Sequence, residues 1–346
     1  MALPGNNNSI SLSQIQTEFG GTDPISLTEY YRGGSYTTDN NTNVPTTGEI
    51  SMTDFFGTLK RFSYTFTSSV QEADLNSIVT TAGWNGSDPI HITINSGVYL
   101  WSDDTSVGGL TISSAFNGLL TVTNNGYIIG RGGNGGNGGG SAGQNGGPAI
   151  KNSATGVILT NASGAFIAGG GGGGGGGWRG AGGGGAGGGT GGTGSGWGSG
   201  TSGAGGAGGA IGQVGSNGQR LQSCKAAEGK GGGAGGGGAT GEDNGSRQGY
   251  MDGAGGGGRI LGAGATGGDG GGWREADTGG DGGANGSAGA NGRSQYGSED
   301  GGGGGGGWGA NGGNGAPYSN RGLGGAAISG TSISVTNNGT IYGSQA

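Results

Sequence analysis

The chain has 346 residues, of which 106 are glycine and only 6 are proline, and its formal net charge is −7. Average glycine usage is about 7%, so this composition is far outside the usual range. The negative charge argues against nucleic-acid binding, and no apolar run is long enough to cross a membrane. The first residues show no secretory signal, so we expect synthesis in a cytoplasm.

The first sixty residues contain three copies of one pattern, Ile10–Ile15, Ile25–Tyr30 and Ile50–Phe55. In each copy a serine can cap a helical turn, and a Gln, Glu or Asp three residues later completes a capping box. Turns this short are unstable alone. They either form one small domain or dock onto a partner subunit, and the scarce local apolar mass favours docking. The predicted attachment residues are Ile10, Leu12, Ile15, Ile25, Leu27, Tyr30, Ile50, Met52 and Phe55.

The next segment predicts a β region. Residues 61–67 alternate aromatic and polar side chains, which is typical of a half-buried strand. A short helix is expected over 72–79. Further strands, separated by turn residues, are predicted at 91–95, 97–101, 110–112 and 119–122.

An internal repeat begins at the last of these strands. Val122–Ile128 has the sequence VTNNGYI, which returns as VTNNGTI at Val335–Ile341 and in looser form at Leu159–Ile167. Such recurrence favours stacked coils that use the same bend three times. Residues 330–346 are therefore expected to pair beside residues 119–168, which makes the glycine region between them a long insertion.

The glycine region, 130–325, has two possible interpretations. Flexible linkers are one. Four tryptophans lie in this region, and glycine recurs every third residue over 203–218 and 280–292, which favours order. A period of three is that of a polyproline-II-type helix, and collagen is excluded because proline is nearly absent. We therefore predict a mostly β protein with a bundle of polyglycine II helices.

The repeated Asn-Asn-Gly-x-Ile pattern followed by long glycine blocks resembles the glycine-rich distal adhesins and related tail-fibre proteins of tailed bacteriophages. The resemblance implies an N-terminal attachment domain, a polyglycine II bundle and receptor-contacting loops at the bundle tip. The expected organisation is an attachment segment (1–60), a β base (61–129), the bundle (130–325) and a C-terminal strand returning to the base (326–346). Expected partners are other virion subunits and a host surface protein or glycan, without nucleic acid or membrane insertion. The expected location is the virion, after assembly in the host cytoplasm.

Interruptions between glycine blocks are rich in Trp, Tyr and Arg, which suit recognition surfaces because they combine rigid contact area with hydrogen bonding. For tryptophans that abut glycine runs directly (The candidate receptor-binding residues are Trp178, Arg179, Arg247, Tyr250, Trp273, Arg274, Arg293, Tyr296, Trp308 and Tyr318.

Nothing in the sequence indicates catalysis, a cofactor or a metal. His91 is the only histidine, Cys224 is the only cysteine, and Gly229-Lys230 lacks the Ser or Thr of a phosphate-binding loop. The main interpretation is a non-enzymatic adhesin that binds the host. A purely structural virion part is the alternative, and an ice-binding protein, which would favour a flat face of regular Thr or Ala, is a third.

Overall fold

The chain was analysed as a computed structural model. The described residues are 3–6, 8–37, 41–195, 202–219, 229–232, 234–239, 241–243, 249–251, 254–265, 279–293, 301–316 and 319–346.

The three N-terminal repeats form helix α1 (Leu12–Phe19) and two 3₁₀ turns (Leu27–Tyr30 and Met52–Phe55). Each begins at its serine, and all three predicted capping boxes are present. In the first, the Gln14 amide nitrogen donates to Ser11 Oγ at 3.2 Å and the Ser11 amide donates to Gln14 Oε1 at 2.7 Å. The spacing of cap and acceptor therefore determines where each turn starts.

The repeats share one small core. The rings of Phe19, Tyr30 and Phe55 form a triangle with centroids 6.1 to 6.5 Å apart, closed by Ile15 and Val44. These five side chains are almost fully buried. Of the two possibilities left open by the sequence, the repeats therefore form one small domain with its own core.

The rest of the chain is mostly β, as predicted, with helix α2 (Leu75–Thr81) and a 3₁₀ turn (Ser114–Phe116). Helix α2 starts later than expected because Asp74 caps it, accepting from the amides of Asn76 and Ser77. The strands are β1 Phe62–Phe66, β2 Val70–Gln71, β3 Ala73–Asp74, β4 Ile90–Ile94, β5 Tyr99–Trp101, β6 Leu110–Ile112, β7 Leu120–Asn124, β8 Tyr127–Ile129, β9 Ile150–Asn152, β10 Ile158–Asn161, β11 Phe166–Ala168, β12 Gly241–Asp243, β13 Gly249–Met251, β14 Ile328–Gly330, β15 Ser334–Asn337 and β16 Thr340–Tyr342.

The strands other than β12 and β13 coil into a parallel β-helix with three sheets. The first sheet has the order β1-β4-β7-β10-β15, the second β16-β11-β8-β5-β2 and the third β14-β9-β6-β3, and all their pairings are parallel. Alternate side chains point inward and form one apolar core between the sheets. The repeat copies stack as the sequence indicated, with Asn124, Asn161 and Asn337 in register.

The glycine segments leave the β-helix at one corner, between the second and third sheets. In the first coil this corner is a single residue, Glu72, which has a left-handed φ of 51°. It lengthens to residues 102–109 in the second coil, 130–149 in the third and 169–327 in the fourth. Strands β9 to β11 therefore lie within the range expected for the bundle, because the chain returns to the base between its two glycine excursions.

Within the described residues, neighbouring glycine segments are joined by backbone hydrogen bonds spaced three residues apart. The amides of Gly133 and Gly136 donate to the carbonyls of Gly171 and Gly174, both at 2.8 Å. Residues 132, 135 and 138 of the same segment donate instead to residues 187, 190 and 193, at 2.8 to 3.0 Å. Successive residues thus face different neighbours, and the buried backbone groups are satisfied laterally.

Candidate functional site

The glycine segments run away from the β-helix and return to it, so the bundle has two ends. At the base end, Gly132 donates to Gly187 at 3.0 Å and Gly309 donates to Gly169 at 2.7 Å, close to where the chain leaves the second sheet. At the opposite end, here called the far end, the turn at 139–140 contacts the turn at 178–180. The Gly139 amide donates to the Trp178 carbonyl at 2.8 Å.

Other segment ends meet at this far end. Ser195 donates to Arg179 at 3.4 Å, Ala239 to Ala181 at 2.9 Å and Gly302 to Ala239 at 3.0 Å. Ala316 donates in turn to Gly301 at 3.0 Å. These residues flank stretches that include most of the interruptions rich in Trp, Tyr and Arg. The far end is therefore where described segment ends from separate parts of the sequence converge.

The candidate receptor-binding residues divide by position. Trp178 lies at the far end with 60% of its surface exposed, Arg179 beside it is half-buried, and Arg293 is exposed. Tyr250 belongs to β13, which pairs with β12 in an antiparallel hairpin. The remaining candidates apart from Trp308, together with Trp197 and Cys224, lie outside the described residues; they are Arg247, Trp273, Arg274, Tyr296 and Tyr318.

Trp308 is a correction. It is fully buried at the base end, where its ring packs edge-on against Phe166 with centroids 5.8 Å apart. Its indole Nε1 donates to the Ile260 carbonyl at 3.3 Å. A side chain enclosed in this way cannot reach a receptor, and it serves as the hydrophobic plug that was the alternative for this residue.

The plug belongs to an aromatic column that the sequence interpretation missed. Tyr99, Tyr127 and Phe166 occupy equivalent positions on the outer face of the second sheet, with centroids 4.5 and 5.1 Å apart. Trp308 and three buried alanines of the bundle and base pack in the same cluster. The signal was available: an aromatic residue stands at the same outward position in three successive coils.

Two buried arginines hold the same end. Arg259 lies 4.6 Å above the ring centroid of Trp101, and its Nε and Nη1 donate to the carbonyls of Gly187 and Gly209 at 3.2 and 3.1 Å. Burial, with nearby Arg131 as a second cause, lowers the pKa of Arg259 to about 10. Arg131 also donates to Asn134 Oδ1 at 3.2 Å. These arginines therefore tie base-end turns to the β-helix.

A polar cavity of about 380 Å³ adjoins this junction, lined by Glu72, Asp103, Asp104, Thr105, Arg131, Gly132, Asn134 and Gln144. Several of its polar groups are used internally. Ser102 Oγ donates to Glu72 Oε1 at 3.2 Å, and two donors of Ser106 hold Asp104 Oδ1 at 2.7 and 2.8 Å. These hydrogen bonds lower the pKa of Asp104. The cavity is a satisfied joint between β-helix and bundle.

The predicted attachment residues divide into two sets. Ile15, Tyr30 and Phe55 form the N-terminal core and have no exposed surface, which corrects their assignment as partner contacts. The others stay partly exposed and pack at the edge of that core: Ile10, Leu12, Ile25, Leu27, Ile50 and Met52. Each repeat thus presents the apolar residue before its cap and the one after it.

Among the described residues, no group of three or more His, Cys, Asp or Glu could hold a metal ion. In the same part of the chain, no helix is long and apolar enough to span a membrane.

A β-helix that projects a hydrogen-bonded glycine bundle and gathers segment ends at its tip is a scaffold for presenting short chain excursions. The profile of the phage tail fibre adhesin Gp38 family matches residues 61–234, slightly more than half of the chain. The chain therefore belongs to this family of tail fibre adhesins, which are virion components.

Among solved structures, the chain is similar to one in the crystal structure of the gp37–gp38 adhesin tip complex of the bacteriophage S16 long tail fiber. The identity is 19%, the match covers 86% of this chain and 87% of that chain, and the TM-score is 0.42. Comparison with curated protein sequences gave no match.

Proposed function

We propose that this adhesin recognises a host cell-surface receptor through excursions at the far end of its glycine bundle. The observation that carries the proposal is the convergence of segment ends there, beside the 60% exposed Trp178. Excursions held by rigid neighbours lose little entropy on binding, so a few aromatic and arginine side chains can dominate the affinity.

We propose further that the glycine segments are polyglycine II helices. The three-residue spacing of their lateral hydrogen bonds supports this, because a threefold helix presents every third residue to the same neighbour. The absence of side chains allows the close approach. A Cβ atom at Gly133, Gly170 or Gly185, for example, would overlap a neighbouring carbonyl oxygen.

The N-terminal domain is proposed to attach the protein to other tail-fibre subunits of the virion. Its six partly exposed apolar residues support this role, since they recur at equivalent positions in three repeats. A partner that covers them would remove apolar surface from water.

Adsorption of phage particles to host cells tests the receptor proposal. Trp178→Ala and Trp273→Ala are each expected to weaken adsorption, by about 2 kcal/mol or roughly thirtyfold if the residue is a binding hot spot. Thermal melting of the isolated variants should be unchanged, because backbone hydrogen bonds hold the segments. Val214→Ala is the matched control: Val214 is 59% exposed but follows a base-end turn, so adsorption should stay normal. Unchanged adsorption in both tryptophan variants would refute the proposal and favour a purely structural role.

A further inference from the structure

The outer face of the first sheet carries one complete column of threonines. Strand pairing sets Thr65, Thr93, Thr123, Thr160 and Thr336 side by side, one from each of the five coils. At the usual strand spacing of 4.7–4.9 Å, the column spans roughly 19 Å along the β-helix axis. No other outward column of this sheet repeats one residue type in every coil.

The column is rigid and open to solvent. Threonine is stiff at χ1, and parallel pairing fixes the backbone beneath it. Thr65 and Thr336 are exposed and the three between them are partly exposed. Within the described part of the chain, the hydroxyls of Thr65, Thr93, Thr160 and Thr336 have no hydrogen-bond partner, whereas Thr123 Oγ1 lies 3.4 Å from His91 Nε2. Each free hydroxyl can both donate and accept.

The neighbouring column is neutral but irregular: Ser63, His91, Thr121, Ile158 and Ser334. Thr121 Oγ1 donates to the Ile90 carbonyl and lies 3.2 Å from His91 Nδ1. Burial lowers the pKa of His91, with Arg61 as a second cause, so this side chain carries no charge near neutral pH. Ile158 is 50% exposed. The face therefore offers hydroxyl, methyl and one larger apolar group, without a formal charge in either column.

We propose that this threonine column is a lateral binding site for a linear, uncharged polysaccharide lying along the β-helix axis. The complete feature repeats in one dimension, which a polymer chain matches. Sugar hydroxyls also donate and accept like those of threonine, and their C–H groups can rest on the threonine methyls and Ile158. A crystalline surface such as ice needs regularity in two dimensions, and the second column is broken by His91 and Ile158. The site lies on the base and is independent of receptor contacts at the far end.

Native affinity electrophoresis of the full chain tests the site, with gels containing xylan, glucomannan or mixed-linkage β-glucan compared with plain gels. The protein should be retarded by at least one polymer. The double variant Thr93→Val/Thr160→Val keeps shape and strand preference but loses two hydroxyls. It should bind about tenfold more weakly, at roughly 0.5–1.5 kcal/mol per hydrogen bond. Thr123→Tyr, at the centre of the column, should abolish retardation.

The matched control is Thr111→Val, an outward threonine on the third sheet, which should leave retardation unchanged. Thermal melting of every variant confirms that it is folded. Unchanged mobility of the natural chain in all three gels would overturn the proposal. So would loss of retardation in Thr111→Val to the same extent. Inhibition of ice recrystallisation that disappears in Thr123→Tyr, without any polysaccharide retardation, would assign the face to ordered water instead.

Discussion

At the scale of single residues, the inward-facing asparagines of the repeat form a ladder through the β-helix. Asn124 Nδ2 donates to Asn161 Oδ1 at 2.9 Å, and Asn161 Nδ2 donates to Asn337 Oδ1 at 2.8 Å. Asn161 is fully buried and also donates to the Thr340 carbonyl at 3.2 Å. Each buried amide thus satisfies the next, which gives the Asn-Asn-Gly repeat a structural reason.

Asn161→Ala should therefore be strongly destabilising. It would leave the Asn124 donor buried without its partner, and an unsatisfied buried group costs about 1–3 kcal/mol. We expect the free energy of unfolding, measured by denaturant titration, to fall by about 2–3 kcal/mol once the lost contacts are included. Asn338→Ala, an exposed neighbour in the same repeat, should change it by less than about 0.5 kcal/mol. Equal stability of the two variants would show that the ladder is not stabilising.

Residue-scale inference from the sequence was uneven for a physical reason. A capping box depends on atoms three residues apart, so the spacing alone predicted all three. Burial depends on distant segments. Trp178 and Trp308 both abut glycine runs, yet one lies at the far end with 60% exposure and the other is buried under Phe166. Nothing local to either residue distinguishes the two environments.

At the scale of elements, the repeat predicted stacked coils because identical side chains must face the same core when coils stack in register. The third sheet was harder to predict. Its strands β3, β9 and β14 have two or three residues each, too short to show alternation, and two of them follow glycine excursions. The glycine segments themselves show a period but no direction, so their neighbours could be learned only from the backbone hydrogen bonds.

Close lateral packing makes a specific element-scale prediction for Gly173. Its amide donates to the Gln144 carbonyl at 2.8 Å, and an added Cβ would overlap the carbonyl oxygen of Asn134. Gly173→Ala should therefore lower the free energy of unfolding by about 3 kcal/mol or more, because backbone cannot move aside as a side chain can. Leu323→Ala, at a 55% exposed position in a neighbouring segment, is the control and should be near neutral. An equal effect of both changes in a denaturant titration would contradict close packing at Gly173.

At the scale of the whole molecule, the single exit corner explains how the protein combines a fixed base with a variable tip. Both glycine excursions leave and rejoin at the same edge of the β-helix, so their base-end turns pack on one aromatic column and their far ends project together. The N-terminal domain has a separate core that shares no buried residue with the β-helix core. Attachment and recognition can therefore be divided between parts that fold around different cores.

This separation predicts the behaviour of a chain lacking residues 1–60. The β-helix and bundle keep their whole core, so the truncated protein should be soluble and should melt in a cooperative transition near that of the full chain. It should still bind host cells, measured by flow cytometry with labelled protein, because the far end is intact. It should no longer be incorporated into particles, measured by immunoblotting of purified virions. A full chain with Ile10, Ile25 and Ile50 changed to Ser is the matched variant, since these residues lie at equivalent edge positions of the N-terminal core. Normal incorporation of both proteins would show that the virion contact lies elsewhere in the molecule.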